Sequence, residues 1–134
     1  MYLVDTSVWI DFLRRTNTKA VRCLFRIIED QIGFGITGVI YQEVLQGATS
    51  AAQFEQLRLY FSTQRFFYPK LQIESYEAAA QIYFACRQKG ITVRSTLDCL
   101  IAQICIEHDL ILLHSDKDFD QIQKIQSNLK LESF

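Results

Sequence analysis

The chain has one proline, five glycines, two histidines and four cysteines among its 134 residues, and no two cysteines form a CxxC pair. It also lacks any apolar run of the roughly 18 residues needed to cross a bilayer, which excludes a membrane-spanning helix. Scarce proline and glycine leave no linker or low-complexity tract, and no internal repeat is present. A single domain over residues 1–134 is therefore expected, and the 49% hydrophobic content is enough to give it one core. Cys23, Cys86, Cys99 and Cys105 have apolar neighbours on helical patterns. They read as small core hydrophobes in a reducing compartment rather than as a disulfide framework or a zinc site. A formal net charge of −1 gives no global attraction for nucleic acid, membranes or acidic substrates, so any anionic partner has to be held locally. Met1 leads straight into a strand without a basic-then-apolar leader. A soluble, cytoplasmic protein is the expectation.

Hydrophobic periodicity divides what is present into alternating strands and helices. Met1 to Val4 reads as a short buried strand, with Thr6-Ser7 capping a helix that carries Val8, Trp9, Ile10, Phe12 and Leu13. A second helix is predicted from Thr18 to Asp30, a strand from Ile32 to Ile36, and a helix from Thr37-Gly38 to about Gly47. Further helices are expected at Ala51 to Tyr60, Ser75 to Lys89 (closed by Gly90), from a Thr96 cap onward, and at Phe119 to Ile125. Arg65 to Tyr68, Ile111 to Leu113 and Leu129 to Leu131 supply shorter strands. This alternation gives an α/β fold with a mainly parallel central sheet.

Asp5, Glu43, Asp98 and Asp116 fall at strand ends or on helices near their starts, far apart in sequence. Singly, each has an ordinary explanation. Asp98 gains about 0.3–1 kcal/mol from the aligned peptide dipoles of a helix first turn. Asp116 suits a turn, and Glu43 suits a solvent-facing helix position. Jointly they say more, because parallel strands deliver their C-terminal ends to one edge of the sheet, where open α/β sheets bind ligands. Carboxylates gathered there repel, and at least one stays protonated near neutral pH unless a cation joins them. Oxygen-only donors favour Mg²⁺ or Mn²⁺ over zinc, a combination suited to phosphoryl chemistry.

The segments LVDTSVWI (residues 3–10), YQEVLQG (41–47), TLDCLIA (96–102) and LHSDKDF (113–119) resemble those of PIN-domain ribonucleases, and among these the VapC-type toxins of bacterial toxin–antitoxin pairs. The resemblance spans nearly the whole chain. It implies a three-layer α/β/α PIN-like fold and Mg²⁺-dependent endonucleolytic cleavage of RNA, with Asp5, Glu43, Asp98 and Asp116 as the acidic site. Asp5 and Asp98 would be the metal ligands, and Thr6 and Ser7 would brace the first carboxylate, with Ser95 in a similar part near Asp98. Asp118 contests the fourth place with Asp116: it either shares the metal or caps the helix starting at Phe119. A small antitoxin protein and a second copy of the chain are the implied partners, besides RNA.

RNA phosphates require cations, and Arg14, Arg15, Lys19, Arg22 and Arg26 occur together with no acid among them, while Arg94 precedes Asp98 by a turn. The same patch also suits an antitoxin interface or a plain solvated face. His108 and His114 read as structural. Some of Trp9, Phe12, Phe25, Tyr60, Phe61, Phe66 and Phe67 are surplus to the short elements that carry them and are candidates for a protein interface, most of them being core. A haloacid-dehalogenase-type phosphatase needs a second aspartate two residues after the first, where this chain has Ser7. A receiver domain needs paired acids where Val4 precedes a single Asp5. The remaining alternatives are a PIN nuclease of RNA processing without a toxin role, and a catalytically silent PIN-like binding module.

Overall fold

In the computed structural model, which describes residues 1–134, strands and helices alternate from the first residues onward. In chain order the elements are β1 (Tyr2–Val4), α1 (Thr6–Leu13), α2 (Lys19–Glu29), β2 (Phe34–Thr37), α3 (Gly38–Gln46), α4 (Ala51–Phe61), β3 (Phe66–Phe67), α5 (Glu74–Gln88), α6 (Thr96–Glu107), β4 (Ile111–Leu113), α7 (Lys117–Ile125) and β5 (Lys130–Leu131). The five strands form one sheet in the order β3-β2-β1-β4-β5, with every neighbouring pair parallel. The helices pack in two groups, α1 to α4 and α5 to α7, which makes three layers. A parallel sheet covered on both faces needs apolar residues without alternation. Accordingly Leu3, Val4, Leu112 and Leu113 in the two central strands are wholly buried.

Register decides where the acids go. Val4 lies opposite Leu113 and Leu3 opposite Gly35, so β1, β2 and β4 all end at one edge. The bond from the Asp5 amide to the Leu113 carbonyl (3.0 Å) ties the first two exits together. Gly35 is required where β2 passes β3, because a Cβ there would strike the Arg65 carbonyl and the Phe67 ring. Gly90, at φ 71°, ends the run of α5 in the left-handed region.

Several boundaries differ from the sequence expectation, those of α1, α6 and α7 because a different side chain caps the helix. Asp5, not Thr6 or Ser7, is the N-cap of α1, and Ser95, not Thr96, caps α6. Asp116 caps α7 by accepting the Asp118 amide, so that helix starts at Lys117, and Asp118 is not its cap. The second strand is displaced toward Thr37, which itself caps α3. Trp9 and Phe61 are wholly buried with centroids 4.9 Å apart, and Phe12, Phe34 and Tyr60 surround them. Phe25 and Tyr60 remain on the surface.

Candidate active site

Asp5 leaves β1 buried and is held by Ser7, whose amide (3.0 Å) and hydroxyl (2.6 Å) both donate to Oδ2. The same Ser7 oxygen accepts the Ser115 amide at 3.0 Å, pinning the start of α1 to the loop after β4. Ser7 therefore braces the first carboxylate, as the sequence motif implies. Thr6 does not: its hydroxyl donates to Glu43 Oε1 at 2.9 Å, so it positions the second acid instead. Ser95 does not reach the Asp98 carboxylate either, its side chain accepting the Leu97 amide at 3.2 Å.

Burial pushes the Asp5 carboxyl up from its usual range, and the bonds from Ser7 oppose that shift. Glu43 is half-buried on α3 rather than solvent-facing, and it too is raised, by burial first and then by the charge of Asp5. Asp98, in the first turn of α6, is raised to about 7; burial is the main cause, followed by the charges of Asp5, Asp116, Asp118 and Glu43. The other four acids thus all bear on Asp98. Oxygens of Asp98, Asp116 and Asp118 lie within 4.8 Å of one another, a spacing that one cation can bridge. This set contains Asp98 but not Asp5. Asp116 and Asp118 both belong to it.

Two residues hold the triad in ways that sequence reading did not anticipate. Arg94 donates from NH2 to Asp116 Oδ1 at 3.0 Å, and from its backbone amide to Asp118 Oδ2 at 3.1 Å. Its Nε lies 3.3 Å from the same Asp118 oxygen. His114 is buried on the edge of the Phe119 ring, and its Nδ1 accepts the Asp116 amide at 3.2 Å. That bond places the ring proton on Nε2, which faces Asp120 at 3.7 Å. The adjacency of His114 to the strand end was the only sequence signal for this. His108 bonds the Tyr68 carbonyl through Nε2 at 2.7 Å, a structural role as expected.

The basic patch splits. Lys19 joins His114, Asp116, Lys117 and Gln123 around a cavity of about 570 Å³ beside the triad. A second hollow of about 310 Å³ adjoins it through Lys19 and Phe134 and is lined otherwise by Arg22, Cys23 and Arg26. Arg14 lies apart, in a mixed hollow of about 170 Å³ where Ile10, Leu13, Val44 and Leu57 face Glu43 and Gln53. Arg15 lines neither and sits on the surface in a positive-φ turn.

Acids converging from β1, α3, α6 and the β4–α7 junction on the C-terminal edge of a parallel sheet define an α/β protein with an all-carboxylate centre. The chain belongs to the PIN-domain family, whose model matches residues 2–125. Within it, the chain is 35% identical over 138 aligned positions to VapC ribonuclease Mb1587 of Mycobacterium bovis, and equally to ribonuclease VapC11 of Mycobacterium tuberculosis. Both matches cover 100% of this chain and 99% of the relative. The fold is that of the Rickettsia felis VapBC2 structure, bound to a promoter DNA fragment, at TM-score 0.75 and 16% identity over 99% of this chain and 98% of that one. DNA-bound VapBC of Salmonella typhimurium gives the same TM-score at 18% identity, over 98% and 96%. No helix of the chain is long and apolar enough to cross a membrane.

Proposed function

We propose that this protein is a divalent-cation-dependent endoribonuclease, and that it is the toxin of a toxin–antitoxin pair. The observation that carries the reading is the convergence of Asp98, Asp116 and Asp118, whose oxygens lie within 4.8 Å of one another, with the Asp98 carboxyl raised to about 7 by burial and by four neighbouring acids. Such a group is poorly accommodated without a cation. Its surroundings offer only carboxylate oxygens, the donor chemistry of Mg²⁺ and Mn²⁺. Asp98, Asp116 and Asp118 would hold the ion, with Asp5 completing the charge around it. A bound ion would polarise the RNA phosphodiester and lower the pKa of a water. Glu43, half-buried, raised in pKa and oriented by Thr6, is placed to accept a proton. The hollow lined by Lys19, Arg22 and Arg26 has no acid in its lining and adjoins, through Lys19, the one that Asp116 and Lys117 share, which gives the RNA backbone cations beside the acidic centre. Arg14, on the far side of Glu43, belongs to a different surface. The hollow there, whose apolar lining is Ile10, Leu13, Val44 and Leu57, fits an apolar segment of an antitoxin. A homodimer follows from the family resemblance.

Cleavage of RNA titrated with Mg²⁺ or Mn²⁺ tests the chemistry. Asp5→Asn and Asp98→Asn should each retain the fold by circular dichroism and lose activity by at least about a hundredfold, the scale on which acid–base groups act. Cleavage persisting in either variant, or in excess chelator, would exclude the mechanism. Growth arrest on expression, relieved by the product of an adjacent small reading frame, tests the toxin role separately.

A further inference from the structure

Arg94 sits in the segment between α5 and α6 with its side chain 72% exposed, yet its guanidinium is not free. NH2 bonds Asp116 Oδ1 at 3.0 Å, and Nε lies 3.3 Å from Asp118 Oδ2 and 3.4 Å from Oδ1. These two carboxylates are the ones that, with Asp98, bring their oxygens within 4.8 Å. The chain thus supplies a cation of its own to two of the three groups that a metal would bind, and leaves Asp98 without one.

We infer that Arg94 is the internal counter-ion of the acidic centre, competing with the divalent cation for Asp116 and Asp118 and so setting the affinity of the site for metal. The inference rests on reading that centre as a cation site. A guanidinium bonded to a carboxylate oxygen occupies a lone pair that a metal would use, and its charge opposes entry of a second cation. A planar fork spans the two carboxylates in a fixed geometry, which an ammonium, a point charge on a flexible stem, reproduces less well. The arrangement is suited to release. The exposed side chain can swing outward without leaving a cavity, while the Arg94 backbone amide, 3.1 Å from Asp118 Oδ2, keeps that carboxylate oriented. In the metal-free protein the same ion pairs relieve repulsion between the two acids. Arg94 therefore stabilises the empty centre and weakens the filled one, and is a positioning residue rather than a catalytic one.

The test is direct metal binding by the full chain, without RNA. Free Mn²⁺ followed by electron paramagnetic resonance should show Arg94→Gln binding about tenfold more tightly than the unaltered protein, the effect of removing one nearby charge. Arg94→Lys should fall between them. In chelator, Arg94→Gln should melt lower than the unaltered protein and gain more from added Mn²⁺. Equal or weaker Mn²⁺ affinity in Arg94→Gln, or in Arg94→Lys should the glutamine variant not fold, would overturn the inference and leave Arg94 as a loop tether. Absence of Mn²⁺ binding in every variant would overturn both it and the reading of the site.

Discussion

Asp98 couples the chemistry of the site to its stability. Its carboxyl titrates near 7 in the folded protein, whereas an unfolded aspartate titrates near 4. A folded-state value above the unfolded one means that the native state holds the proton more tightly. Stability from this group is complete below about pH 4 and falls as pH rises through about 7. In chelator, Asp98→Asn should therefore melt above the unaltered protein at pH 8, by roughly 3 °C or more, with the difference shrinking toward pH 4. Saturating Mg²⁺ should abolish or reverse the difference at pH 8. Thermal melts across pH, with and without metal, check both signs. Ser7 makes a contrasting case, because its single hydroxyl joins the buried Asp5 to the Ser115 amide. Ser7→Ala leaves Asp5 with the backbone donor alone and should cost about 1–3 kcal/mol in urea unfolding. Ser7 was legible from its place in the motif. The partner of Thr6 was not, since Glu43 is 37 residues away and is delivered by α3.

Local elements were read more accurately in kind than in their limits. Apolar runs and spacing located all five strands and all seven helices, because burial on both sheet faces and on one helix face is written directly into hydrophobic periodicity. Their first residues were less legible. A cap is chosen by which oxygen reaches a free amide, and DTS, RST and SDKD each offer more than one candidate. In α1 and α7 the capping oxygen belongs to a site acid, Asp5 or Asp116, so cap and functional residue coincide. The strands also constrain small residues. Gly35→Ala places a methyl against the Arg65 carbonyl and should lower stability by about 1–3 kcal/mol. Gly38→Ala, with open space around its Cβ position, should be close to neutral. A pair of denaturation curves distinguishes them.

The molecule as a whole carries almost no net charge and still presents a cationic track, because Lys19, Arg22 and Arg26 share one face of α2 while the acids are drawn inward to the sheet edge. If RNA follows that track, replacing Lys19 and Arg22 by glutamine in an Asp5→Asn background should weaken single-stranded RNA binding. The slope of log affinity against log salt should also fall by about 0.7 for each cation removed. Fluorescence anisotropy at several salt concentrations measures this, and an unchanged slope would place the RNA elsewhere. Composition and periodicity alone determined the α/β class, the parallel sheet and the positions of the acids near strand and helix ends, since these depend on local spacing and on burial. Only the tertiary structure decided which acids share a cation-sized space, which hydroxyl serves which carboxylate, and that Arg94 faces inward to Asp116 and Asp118. Those are contacts between residues far apart in the chain. They are fixed by strand register and helix docking, which no local pattern encodes.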